Sequence, residues 1–261
     1  VPSLFLNMMK TFVHKDSIVR QIWGKADTVL FIFAGAAAEF ALNKAVDWLY
    51  FTGRLPADPL GRLFSTVTYA RQIIFLDEEA ALNAIDKITA IHKGVEKNRG
   101  AEIPDWAYRD VLYMLIDYSI CSFELLERKL SEHEKNEVFK VFHRVGKQMQ
   151  LAGLPGNYPE WVISRDKHLD EDILCSDFTI DLYLQYKKHL GPVRYLILKQ
   201  VQLRLAPGKI KKLLPIKKPS WITPVLMFYK FLRFIKISGV MKGALLPKAY
   251  REQIKSLDII L

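Results

Sequence analysis

The residues best suited to chemistry lie in one stretch, EEAALNAIDKITAIHKGVEKN, residues 78–98. Its helical apolar stripe runs Leu82, Ile85, Ile88, His92, Val95, so an imidazole stands where the pattern asks for Leu or Ile. A buried imidazole needs partners for both nitrogens, and burial disfavours its charged form. His92 is therefore either a core histidine bonded to a carbonyl or a neighbouring side chain, or a metal or haem ligand. A neutral imidazole on an apolar helix face is how proximal haem ligands are presented. Glu96 lies one turn on, a spacing at which two side chains can hold one metal ion.

The preceding segment, DPLGRLFSTVTYARQII, carries Leu60, Leu63, Phe64, Val67, Ala70 and Ile74 at helical spacing, with Arg62, Thr66 and Tyr69 gathered on the opposite face. Exposed, this is an ordinary polar face. Buried, the guanidinium requires an anionic partner, such as a haem propionate, a bound oxygen species or a carboxylate. Other constellations are absent: there is no phosphate-cradling Gly-rich loop, nucleophile elbow or HExxH. No Glu is followed three residues later by His, which removes the di-iron bundle. Cys121 and Cys175 have neither metal nor redox spacing, which argues against a disulfide framework or zinc site and for a reducing compartment.

Helices must position these groups. An apolar helix is expected over residues 27–43, opening at Asp27, and Asp77 is the expected N-cap of the His92 helix. Asp105, after Pro104, opens a long helix to about Leu130. Ser131 and Glu134 match a capping box, and that helix is expected to run to the stop at Gly153–Gly156. Further helices are expected over 176–190, 193–205 and 223–238. No segment alternates with period two and no internal repeat occurs. The expectation is an all-α, single globular multi-helix domain. Residues 1–208 form its core, residues 209–261 a basic C-terminal helical segment packed on it, and residues 209–220 the one linker-like break.

The net charge of +10 is uneven: residues 187–255 hold seventeen Lys and Arg against one acid, Glu252. That imbalance points to an anionic neighbour. In TPVLMFYKFLRFIKIS, Lys230, Arg233 and Lys236 accompany Phe228, Phe231 and Phe234, with Trp221 just upstream. This combination fits peripheral contact with an anionic membrane through residues 209–245. The alternative is a helix packed on the core with solvated lysines. Nucleic acid is the weaker partner, because no binding module accompanies the charge. No run of roughly 18 uncharged apolar residues suggests a transmembrane helix; Thr28–Leu42 is short and carries Glu39. The start, VPSLFLNMMK, is not a complete signal peptide and lacks an initiating Met, leaving room for an upstream targeting segment. The expected location is cytoplasmic or peripheral to a membrane.

The block DPLGRLFSTVTYARQIIFLDEEAALNAIDKITAIHKGV resembles the centre of the MpaB-type oxygenase and rubber oxygenase (latex-clearing protein) catalytic-domain family, an Arg-x-x-(Lys/Arg)-Thr helix followed by a helix ending in His-x-x-Val. SIVRQIWG before an apolar helix, LSEHEKNEVFKVFHRVGKQMQLAGLPGNYPEW and the C-terminal GALLPKAYRE agree in order, so the resemblance spans residues 17–252. The chain departs from the family pattern at Ser65, in place of Lys or Arg, at Leu76, in place of Gly, and at Asn43-Lys44, in place of His-Pro.

The resemblance implies the latex-clearing protein haem fold, with a haem b in residues 1–208. His92 would be the axial ligand of the haem iron, and Arg62 and Thr66 pocket residues that take part in catalysis. It further implies an oxidoreductase that uses O2 to cleave or oxidise an alkene of an isoprenoid-like or other lipophilic substrate, with the short MpaB-like branch a closer fit than polyisoprene cleavage. Asp47 and Glu39 are the nearest carboxylates for a distal acid. Phe31, Phe33, Met114 and Leu115 would line the substrate path, or simply form core. Two other classes stand beside this one: a non-catalytic haem-binding or sensing protein on the same fold, and a haem-free basic helical membrane-surface module.

Overall fold

At the centre of the molecule, α2 (Ala26–Phe40) crosses α7 (Asp105–Leu126). The crossing is close because Gly35 faces the Tyr118 ring; a Cβ there would lie 2.2 Å from Tyr118 Cδ1. This computed structural model describes residues 10–216 and 221–234, and among them every regular element is a helix. The short α1 (Ile18–Trp23) tucks Trp23 beneath the crossing. There its indole donates to Ser119 Oγ at 3.1 Å and packs against Phe33 and Phe142.

Against α7 and α1 lies α8 (Glu132–Gln148), whose Val138, Phe139, Val141, Phe142 and Val145 form one buried face. Each such side chain contributes about 1.5–3 kcal/mol on leaving water. Both halves of its capping box form: Glu134 N meets Ser131 Oγ, and Ser131 N meets Glu134 Oε2 at 2.8 Å. Three helices stop earlier than the sequence suggests, the first being α2, which ends at Phe40 rather than at residue 43. α7 ends at Leu126 because the Glu124 carboxylate draws in Leu130 N and Lys129 Nζ, turning the chain. α8 ends at Gln148, where Gln150 and Gly153 take left-handed φ values of 59° and 67°.

After the short α3 (Val46–Phe51) and α4 (Arg54–Ala57), α5 (Pro59–Phe75) and α6 (Glu78–Arg99) form an antiparallel hairpin. Asp58 caps α5 through Gly61 N, and Asp77 caps α6 through Ala80 N, both at 2.9 Å. Of the expected α5 stripe, Leu60, Phe64, Val67, Ala70 and Ile74 are buried, while Leu63 is half-buried.

No helix was expected over residues 158–171, yet α9 (Tyr158–Glu171) occupies them, capped by Asn157. α10 (Asp177–Leu205) is two helical rods joined at Gly191, whose φ of 73° and ψ of 171° break the helix where the LGP signal stands. The segment expected as a linker instead contains α11 (Gly208–Leu213). Ile210 is fully buried there, and Lys209 pairs with Asp166 and Asp170 of α9 at 2.9 and 2.7 Å. Finally, α12 (Thr223–Phe234) buries Leu226 and Tyr229, and Ile222 just before it is buried too, with Tyr229 Oη donating to Asp27 Oδ2 at 2.9 Å. Residues 217–220, the expected continuation of α12 to 238, Lys236, and GALLPKAYRE lie outside the described residues. No described helix is long and apolar enough to cross a membrane.

Candidate functional site

Because α5 and α6 run antiparallel from a tight turn, the first half of α5 faces the second half of α6. That register puts Arg62 and Thr66 opposite His92, and all three are half-buried. Thr66 Oγ1 donates back to Arg62 O at 3.1 Å. The expected stripe of α6 is only partly sunk: Ile85 is fully buried, while Leu82, Ile88, His92 and Val95 are half-buried.

His92 Nδ1 is buried, and among the described residues it has no hydrogen-bond partner. Burial first, and the Arg62 charge second, push its pKa below the ordinary value, against a smaller pull upward from Glu96. The ring is therefore neutral at neutral pH, with a lone pair to offer. Among the described residues, no carboxylate pairs with the Arg62 guanidinium, whose charged form is disfavoured first by burial and then by the like charge of Arg54. Glu96 is engaged elsewhere, its Oε1 accepting from Ile103 N at 2.9 Å and Tyr108 Oη at 3.0 Å. Asp47 pairs with Arg99 at 2.7 Å, and Arg99 lies over the Trp48 ring at 4.0 Å.

A second polar constellation sits under α2, α7 and α9. Glu39, fully buried, takes both Arg165 Nη atoms, with Nη2 at 2.5 Å, and accepts from Tyr118 Oη at 2.9 Å. Arg165 also binds Asp117 Oδ2, at 2.9 Å from Nη2. His168 places Nε2 3.3 Å from Glu39 Oε1 and Nδ1 2.6 Å from Asp110 Oδ1. Burial alone would raise the Glu39 pKa, but the Arg165 charge and its hydrogen bonds, with help from His168, bring it down to about 2. Burial would lower His168, but its hydrogen bonds with Asp110 and Glu39 pull it up to about 9. Glu39 is thus bound to Arg165 and His168. Of this cluster, Glu39 alone stands out in the sequence; Arg165, His168, Asp110 and Asp117 do not. The signal was the spacing Trp161, Arg165, His168, Leu169, a helical stripe with two charge-bearing members. Phe31, Phe33 and Met114 are buried members of the central core, and Leu115 packs against it.

The family model described as ER-bound oxygenase mpaB/B′/rubber oxygenase, catalytic domain, matches residues 20–255. The chain belongs to this family. No curated protein and no solved structure matches it. The mpaB–rubber oxygenase match takes in the whole of both constellations, the α5/α6 face and the Glu39 cluster alike. This family is one of oxygenase catalytic domains, and the all-α architecture is consistent with it.

Proposed function

We propose that the chain is a haem b-dependent oxygenase acting with O2 on an alkene of an isoprenoid-like or other lipophilic substrate, with His92 as the residue that would hold the haem iron. One observation carries this reading: a neutral imidazole with an unpartnered buried nitrogen faces a guanidinium with no carboxylate of its own. Those are the residues a haem needs, one lone pair for the iron and one cation for a propionate. When bound, haem supplies the activation of O2 and the oxidation of the substrate.

The chain's own share is positional. His92 offers its lone pair because Arg62 and burial keep it unprotonated. The Thr66 hydroxyl is anchored to the Arg62 carbonyl, one turn back on the same helix. Tyr108 stands edge-on to the imidazole at 5.1 Å between ring centres and is itself tied to Glu96.

The partner surface of this reading is an anionic membrane. α12 leaves Val225, Met227, Phe228 and Phe231 exposed beside Lys230, with Trp221 exposed just before it, while its Leu226 and Tyr229 are buried. Aromatic and basic side chains exposed together favour the headgroup layer, where lipophilic substrates reside.

The test is the visible spectrum of protein expressed with haem supply, wild type beside His92→Ala. A stoichiometric Soret band, lost or strongly shifted in the variant, is expected. Wild type that takes no haem after reconstitution overturns the reading. Oxygen uptake with isoprenoid alkenes then separates an oxygenase from a haem-binding protein without turnover, the outcome that Ser65, standing where the family motif has Lys or Arg, makes worth measuring.

A further inference from the structure

The cluster between α7 and α9 holds more negative charge than its own cations answer. Four carboxylates, Glu39, Asp110, Asp117 and Asp172, meet two cationic side chains, Arg165 and His168. Arg165 answers Glu39 and Asp117. Asp110 and Asp172 are left to converge on one atom, His168 Nδ1, at 2.6 and 3.2 Å. A single ring nitrogen carries at most one proton and cannot serve both carboxylates well. The nearby Lys44 ammonium goes to the Glu171 carbonyl instead. Asp172 also follows the last residue of α9, where the helix dipole disfavours an anion unless a cation is close.

The surroundings of these three side chains are those of held ligands. Glu39 lies against the far nitrogen of His168 at 3.3 Å, and Arg165 fixes Glu39. A carboxylate on the distal ring nitrogen is how metal-bound histidines are oriented, because it sets the tautomer and turns the other lone pair toward the ion. The second oxygen of Asp110 is held too: Asn43 Nδ2 donates to it at 2.9 Å, and Asn43 Oδ1 is occupied by Ala45 N at 2.7 Å. The candidate ligand atoms of Asp110, His168 and Asp172 all lie within 4.8 Å of one another.

We propose that Asp110 Oδ1, His168 Nδ1 and Asp172 Oδ2 form a binding site for one divalent transition-metal ion, separate from the His92 face. One imidazole and two carboxylates suit Mn2+, Fe2+ or Zn2+. On binding, the Nδ1–H bond breaks, a nitrogen–metal bond forms, and the proton leaves to solvent past Asp172, the partly exposed member. Bonds of about 2.0–2.2 Å to each ligand require Asp110 and His168 to part slightly. With Asp110 on α7 and the other two ligands on or beside α9, the ion clamps α9 to the core. Its role is structural, and it does not depend on haem.

Protein stripped by chelation and titrated with Mn2+, and in parallel with Zn2+, is expected to bind one ion and release about one proton near pH 7. The bound ion is expected to raise Tm. Asp172→Asn, chosen because it changes the rim of the site, is expected to bind at least about tenfold more weakly and to lose the Tm rise. His92→Ala is expected to bind as wild type does. Wild type without one-to-one binding overturns the proposal whatever the variants do. So does Asp172→Asn binding as tightly as wild type, or loss of binding in His92→Ala.

Discussion

His92 and Tyr108 meet edge to face, their ring centres 5.1 Å apart and their planes at 83°. Tyr108 is held by its hydroxyl bond to Glu96, so the imidazole is braced by a neighbour that is itself braced. In haem-loaded protein, Tyr108→Phe keeps the ring contact and is expected to leave the Soret maximum near that of wild type. Tyr108→Ala removes the brace and is expected to shift or broaden it. Equal spectra for Ala and wild type would show that Tyr108 does not orient His92.

Arg62 disfavours the charged form of His92. In haem-free protein, Arg62→Met is expected to raise the His92 pKa, because the imidazolium then forms without a like charge beside it. The imidazole proton resonances, followed through a pH titration, read the shift directly. An unchanged midpoint would mean that burial alone sets it.

Glu39 and Arg165 form a buried pair, and removing one member leaves the other uncompensated. Glu39→Gln is expected to cost about 3–5 kcal/mol in denaturant unfolding. The double variant Glu39→Met/Arg165→Met is expected to lose less than the two single losses combined, since no charge is then stranded. Additive losses would deny the coupling.

At the start of α8, Glu134 is held down to about 2 by its hydrogen bond with Arg128 and by the Ser131 backbone. A folded pKa below the ordinary 4.5 means that its stabilisation is present above pH 4.5 and fades as pH falls toward 2. Glu134→Gln is expected to flatten that part of the acid unfolding profile. Ser131→Ala, which removes the hydroxyl half of the box, is expected to cost about 1 kcal/mol at neutral pH.

The exposed side of α12 offers a contrast by lipid. Trp221→Ser/Phe228→Ser/Phe231→Ser is expected to reduce binding to anionic vesicles at least about tenfold, by loss of buried apolar area. High salt is expected to weaken wild-type binding. Equal sedimentation with anionic and neutral vesicles would remove the electrostatic part of the membrane reading.

Much of this architecture was legible because its signals were local. Asp77, Ser131–Glu134 and the break at Gly191 each act within a few residues, and each works as its chemistry suggests. The α5 stripe was equally plain, since Leu60, Phe64 and Val67 are apolar and buried. α9 was not legible. Its buried stripe includes Arg165 and His168, which hydropathy scores as surface, and only contact with Glu39 and Asp110 makes them core residues. The contents of the 209–220 break were hidden for a related reason: Ile210 stands alone among lysines, and acids on α9 neutralise Lys209. Pairings between distant charges leave no periodic trace.

Tyr229 and Asp27 are 202 positions apart, yet their side chains share a hydrogen bond in the interior. During synthesis, α2 emerges long before the residue that will meet its first turn. Until then, a carboxylate destined for burial lacks the hydroxyl that will meet it there, and the early helices can assemble around it only provisionally. Native closure at that end of the molecule must therefore wait until position 229 has cleared the ribosome.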